Sequence, residues 1–255
     1  PLLELPLAAD RYERYYGQLA KKPKNEVTPD LNSLGALLEL AFGLSAWKSW
    51  GPNRWALRCN PSSGNLHPVE AYVLAGNFPG LGDGLHHYDP ENHALEGRAL
   101  LASGAETPWL AVGLSSIMWR EAWKYGERAF RYCQLDVGHA VGALAYAAAL
   151  LGWEVVPIAI DGQVLRHCLG LDRPDDFPPS RFAFTEVEEP EVLLALCGRG
   201  LSSPPAAQDL ENWLKAAPGF GESSYETPSV DRLAIEYVYV ERREDSRSSA
   251  GAARH

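Results

Sequence analysis

The feature that most constrains this chain is a long helical stretch from Trp119 to Leu151, closed by Gly152 and followed at once by the apolar run of residues 153–160. Inside it Phe130, Cys133, Val137, Val141, Leu144, Ala148 and Leu151 recur by threes and fours, giving one continuous apolar stripe. Gly138, Ala140, Gly142, Ala143 and Ala147 lie beside that stripe and permit close helix contact on other faces. Such a helix packs on several sides at once, a dimer contact included. Around it, residues 70–75, 109–114, 153–160 and 192–199 read as buried strands. Residues 84–88 and 93–95 read as a hairpin turned by Asp89-Pro90-Glu91-Asn92. Ser33 offers an N-cap to a helix over 34–42, with Leu34, Leu37, Leu38 and Ala41 on one face. Asp161 caps a further helix holding Val164, Leu165, Cys168 and Leu169, which Gly170 stops.

With 255 residues, 46% of them hydrophobic, the chain can fill a real core. Its organisation reads as an N-terminal arm over 1–30, a main domain over 31–200, and a partly mobile C-terminal extension over 201–255 that thins into a charged tail from Glu241. A formal net charge of −10 argues against nucleic acid or an anionic membrane as the main partner. Cys59, Cys133, Cys168 and Cys197 are far apart and form no Cys-x-x-Cys pair, so neither a disulfide framework nor a zinc site is expected, and a reducing cytoplasm is the default. No run reaches the eighteen or so unbroken apolar residues of a membrane span, and the first residues lack a signal peptide's order. The sequence opens on Pro1 rather than methionine, as a trimmed chain or a piece of a longer protein would.

Chemistry-bearing residues fall into two stretches. The first runs Arg58-Cys59-Asn60-Pro61-Ser62-Ser63-Gly64-Asn65-Leu66-His67-Pro68 and leads into the strand from Glu70. Pro61 fixes its own φ and drives Asn60 extended, while Ser62 or Ser63 can cap a helical turn whose N–H groups point outward. That corner suits a planar, hydrogen-bonding ligand carrying anionic groups; the plain alternative is an ordinary turn before a strand. Upstream, residues 43–57 read as a loop rich in large anchors and cations, namely Trp47, Lys48, Trp50, Arg54 and Trp55, broken by Gly51-Pro52-Asn53. Either Arg54 or Arg58 could grip a phosphate bidentately.

The second stretch is Trp123-Lys124-Tyr125-Gly126-Glu127-Arg128-Ala129-Phe130-Arg131-Tyr132, with Asp136 and His139 beyond it. Its plain reading is a solvated helix face, with Glu121 reaching Lys124, Glu127 pairing with Arg131, Arg131 and Asp136 in structural pairs, and His139 packing between helices. Adjacent helical residues point about 100° apart, so Lys124 and Tyr125 can share one substrate only at a helix start or distortion, which Gly126 supplies. A lysine of ordinary basicity, about 10.4, is a poor base at neutral pH unless burial or a nearby cation such as Arg128 depresses it. His86, His87 and His93 sit on one hairpin, but alternate strand residues face opposite ways, and no metal site is expected.

Pro61, Ser62, Ser63, Asn65 and Pro68 before an apolar strand resemble the flavin-contacting segment of the nitroreductase superfamily, with His67 where many members carry glutamine. Glu70, Tyr72, the hairpin Gly84-Leu85-His86-His87-Tyr88-Asp89-Pro90 and the run Lys124-Tyr125-Gly126 extend the likeness toward the SagB-type azoline dehydrogenases. The resemblance covers roughly residues 45–200. It implies an α+β fold, a central mixed and mostly antiparallel sheet flanked by helices, in a homodimer that binds FMN. It implies flavin contacts from Ser62, Ser63 and Asn65, backbone contacts near Pro157 and Ile158, and a phosphate cation near the chain's end, for which Arg199 is the candidate. It also implies hydride transfer from a small-molecule or peptide substrate to flavin N5, with Lys124 or Tyr125 taking the neighbouring proton. The family's N-terminal Arg-x-Ser-x-Arg phosphate motif is absent, so Arg54, Arg58 or Arg199 would have to replace it. Two other functions fit the same likeness: a nicotinamide-dependent nitro or quinone reductase, and a non-catalytic scaffold in a biosynthetic complex.

Overall fold

The computed structural model describes residues 2–21, 26–100, 105–173 and 187–217; the tail from Glu241 and most of the C-terminal extension lie outside them. Seven strands form one sheet in the order β1 (Leu2–Glu4), β6 (Ala94–Leu100), β5 (Gly84–Asp89), β4 (Val69–Gly76), β7 (Trp109–Ile117), β9 (Glu188–Cys197), β8 (Glu154–Ile158). Every ladder in it is antiparallel. The central strands β4 and β7 are buried along their whole length, which is why they read as apolar runs rather than as alternating ones.

The alternation of β4 sorts the core into two layers. Val69, Ala71, Val73 and Ala75 pack with α1 (Leu31–Phe42) and α3 (Ala129–Leu151). Tyr72 and Leu74 point the other way, toward α4 (Gly162–Cys168) and α5 (Ala207–Ala216), with Trp109, Ala111 and Leu193. A mostly antiparallel sheet flanked by helices is thus the architecture, as expected.

The long helical stretch is two helices. α2 (Trp119–Tyr125) ends at Gly126, whose φ of 59° breaks it, and one 3₁₀ turn leads into α3. Gly152 closes α3 at φ 81° in the left-handed region. By length and hydropathy the span Trp119–Leu151 could cross a membrane. α3 instead buries Cys133, Ala140, Leu144, Ala148 and Leu151 in the globular core. The expected apolar stripe is corrected at its start, because Phe130 is 62% exposed while Asp136 is buried.

Two local readings also change. Asp30, not Ser33, caps α1: its carboxylate accepts from Ser33 N at 2.7 Å while Ser33 Oγ accepts from Asp30 N at 2.8 Å. The expected loop at 43–57 is a two-stranded ribbon of β2 (Leu44–Trp50) and β3 (Asn53–Arg58), turned at Gly51 with φ 57°. Its aromatic residues favour extended chain even where one strand is left exposed. The N-terminal arm begins with β1 on the sheet edge, and its Arg14 guanidinium donates to the Ala149 carbonyl at the end of α3. It therefore packs on its own domain.

Candidate functional site

The serine corner sits where the ribbon feeds β4, and its backbone is bent against preference. Gly64, Asn65 and His67 have φ of 62°, 60° and 48°. Two non-glycine residues in the left-handed region so close together store strain that the surroundings must hold. They do so through hydrogen bonds: Asn65 Nδ2 donates to the Ala56 carbonyl at 2.9 Å, His67 N to Ser62 Oγ at 2.8 Å, and His67 Nε2 meets Asn65 Oδ1 at 3.0 Å.

The strongest clamp comes from α3. Asp136 is 1% exposed and takes Ser62 Oγ at 2.8 Å, Ser63 Oγ at 3.0 Å and the Ser63 N–H at 3.0 Å. The expected structural pair of Asp136 is with the two serines, which lie 73 and 74 residues upstream, beyond any local pattern.

Lys124 and Tyr125 end α2 directly above this corner. A methyl group on Gly64 would lie 2.5 Å from Tyr125 Oη and 2.9 Å from Lys124 Nζ. Both side-chain tips therefore converge on one exposed glycine, and their helix stops at the next residue. Tyr125 is seated against Tyr132 with ring centroids 4.6 Å apart. Burial, then the nearby Glu121, pushes the Tyr125 phenol up. Gly64→Ala is expected to cost about 1–2 kcal/mol from the left-handed backbone alone, read as a lower urea midpoint. The added methyl must also push the tyrosine hydroxyl aside.

Beneath the corner lies a buried ionic floor. Arg120 of α2 donates to the His67 carbonyl at 2.8 Å and to Glu70 of β4, and Glu70 Oε2 meets His87 Nε2 at 2.9 Å. Burial alone would raise the Glu70 carboxyl, but Arg120, the His87 hydrogen bond and Arg58 overcome it and hold the group below the usual carboxylate range. Alongside, Tyr72 Oη donates to Glu188 at 2.8 Å and Ser115 Oγ donates to the same oxygen. Burial, with Arg58 and Arg120 beside it, pushes His67 down to about 3, so it is neutral at physiological pH.

The other expected site residues are spread out. Arg58 is half-buried, donates to the Val69 carbonyl at 3.1 Å and acts electrostatically on His67 and Glu70, so it belongs to the corner. Pro61 is exposed at the corner's entry. Arg54 lies out on the ribbon, its guanidinium 4.1 Å from the centre of the Trp47 ring. Pro157 and Ile158 lie on the edge strand β8, three strand spacings or about 14 Å from β4. Arg199 follows β9 at the sheet end near Trp109, whereas the corner joins β4 at the end near Ser116. A strand length of about 25 Å separates them within one chain. His139 is exposed, not packed between helices.

Two features escaped the sequence. Glu121, read as a solvated partner of Lys124, is fully buried with both carboxyl oxygens unpartnered among the described residues. Asn60 Oδ1, His67 Nδ1 and Trp123 Nε1 are likewise buried without a hydrogen-bond partner there. No group of three or more His, Cys, Asp or Glu side chains could hold a metal among the described residues; His86, His87 and His93 spend a ring nitrogen on Gly82, Glu70 and Pro6.

No protein-family model matches the chain. It is 25% identical over 140 residues to a Methanocaldococcus jannaschii protein that carries the name nitroreductase (MJ1384), covering 50% of this chain and 67% of that protein. To the trifolitoxin-processing protein TfxB of Rhizobium leguminosarum bv. trifolii it is 28% identical over 111 residues, covering 37% of this chain and 30% of TfxB. An Anabaena variabilis crystal structure, also named as a nitroreductase, superposes with a TM-score of 0.54 at 21% identity, covering 86% of this chain and 54% of that one. The E. coli microcin synthetase McbBCD complex with truncated pro-MccB17 bound gives 0.50 at 18%, covering 69% and 65%. The chain thus spans about half the length of the Anabaena protein and 30% of TfxB. These likenesses agree with the arrangement of sheet and helices: the chain has the nitroreductase fold and resembles nitroreductases in sequence.

Proposed function

We propose that this chain is an FMN-dependent oxidoreductase that dehydrogenates an azoline ring in a small-molecule or peptide substrate, with Lys124 and Tyr125 as its base. The observation that carries this reading is the convergence of Lys124 Nζ and Tyr125 Oη on Gly64, which joins the two motifs at one place. A substrate carbon over Gly64 would meet both groups, and position is the larger part of proton abstraction.

The residues fit a flavin ring. Asn60 Oδ1, His67 Nδ1 and Trp123 Nε1 are buried polar atoms with no hydrogen-bond partner among the described residues, and a flat, hydrogen-bonding ring supplies partners for such atoms. When bound, FMN supplies the hydride acceptor at N5, chemistry that no side chain here can perform. Ser62 and Ser63 act on the ligand by shape, because Asp136 already holds their hydroxyls. Arg58 is the phosphate candidate this protomer places at the corner; Arg54, Arg199, Pro157 and Ile158 would reach a flavin only from another position, such as a second copy.

A homodimer is part of the proposal. Phe130, Leu135 and Tyr146 on α3 are 62%, 51% and 55% exposed, and Val156 on β8 is 42% exposed, an apolar set that a second copy would cover. The peptide substrate leans on two likenesses: TfxB is named for processing trifolitoxin, and the McbBCD complex holds truncated pro-MccB17. A cytoplasmic setting goes with the unpaired cysteines. The test is FMN titration followed by assays with an azoline peptide and, separately, with a nicotinamide and a nitro compound. Turnover of the azoline alone supports the reading; nitro reduction alone moves the chain to the reductase class.

A further inference from the structure

Glu121 is a buried carboxyl, beside the Lys124–Tyr125 pair, that the proposed reaction does not use. It lies on α2, one turn before Lys124 and Tyr125, and is 0% exposed, with no hydrogen bond to either oxygen among the described residues. The charged and titratable groups facing it are Lys124 and Tyr125 from its own helix and Asp136 and Cys133 from α3. A carboxyl left unpaired in the interior is costly, and the interior favours its neutral form. Asp136 adds to this, since its carboxylate is committed to the serine corner.

We propose that Glu121 is the proton reservoir of the Lys124–Tyr125 pair, a positioning residue that exchanges one proton with it. The inference rests on the azoline reading for the proton's origin. First an N–H bond of Lys124 or the O–H bond of Tyr125 breaks and its proton forms an O–H bond on the Glu121 carboxylate, which frees a lone pair at Nζ or Oη. Then the substrate C–H bond breaks and its proton binds the freed Nζ or Oη, and Glu121 gives its own proton up to solvent before the next cycle. No electron is exchanged between these side chains. Burial, with Asp136 next, pushes Glu121 up to about 8, so its ionised, accepting form grows in as pH rises through that value.

Two measurements on the 255-residue chain test this. The first needs no turnover: the tyrosinate absorbance of Tyr125 is isolated by subtracting the Tyr125→Phe variant and followed against pH. Glu121→Gln removes the anion that helps hold this phenol up, so Tyr125 should titrate at lower pH in that variant; an unmoved titration overturns the proposal. Glutamine keeps the shape and adds no charge, and Glu121→Asp, which restores the carboxylate, should move the titration back. The second is the pH profile of azoline turnover with FMN bound. The unmodified chain should rise with an inflection near 8 that Glu121→Gln lacks, with turnover at pH 8 lower by on the order of 10²-fold. An inflection kept in Glu121→Gln also overturns the proposal. A shifted tyrosine in a chain that turns over no azoline sinks the azoline reading and leaves the Glu121–Tyr125 coupling standing.

Discussion

Lys124→Ala is expected to lower azoline dehydrogenation by about 10²- to 10⁴-fold, the span that a positioned acid or base usually supplies. Tyr125→Phe, which keeps the ring against Tyr132 and removes only the hydroxyl, should fall in the same range. The two losses should not multiply, because both groups serve one proton at one place. Steady-state kinetics on the single variants and the double variant check this. Nicotinamide-driven nitro reduction needs no such base, so the same substitutions should leave it near its starting rate. Equal losses in both assays would mean that the pair holds the site together and takes no proton.

Glu70→Ala is expected to be the most damaging change to stability, at about 3–5 kcal/mol, because it strips the carboxylate from a buried arginine. Arg120 is 3% exposed and would keep its charge in the interior, while His87 loses the acceptor for its Nε2. The pH dependence has a definite sign. Glu70's folded-state pKa is depressed, so its contribution is complete above the unfolded value near 4.5 and is lost as pH falls below the usual carboxylate range. Urea unfolding at pH 7 and at pH 4 should show the variant's deficit shrinking in acid. The floor also anchors the site: Arg120 holds the His67 carbonyl, so loosening Glu70 should loosen the strained corner above it.

What could be read in the sequence was mostly local. Gly126 breaking a helix, Gly152 ending one and Asp161 starting one each follow from a residue and its immediate neighbours, and all three hold. The strands at β4 and β7 were legible because a strand buried on both faces is apolar without interruption. Asp30 was missed in favour of Ser33 because both lie in the same capping box and pattern alone cannot say which of them stands at the N-cap. The ribbon looks like a loop in sequence because its tryptophans and cations show no buried side.

The site's motifs were legible, but their connections were not. Ser62 and Ser63 reach Asp136 over 74 and 73 residues of sequence, and nothing near position 136 signals that a carboxylate is needed there. Glu121 stands three residues before Lys124, a spacing that serves a solvated pair as well as a buried acid. Only the packing of α2 on α3 decides between them. Arg199 is a candidate only through the family resemblance, and a strand's length of sheet sets it apart from the corner within one chain.

The most direct measurement of the central claim is the visible absorption spectrum of the chain purified without added cofactor, repeated after FMN addition and desalting. Flavin bands that survive desalting are expected, weakened when Arg58 is replaced by alanine. A colourless protein that releases all added FMN would contradict the flavin site built on residues 60–67 and put a scaffold role in its place.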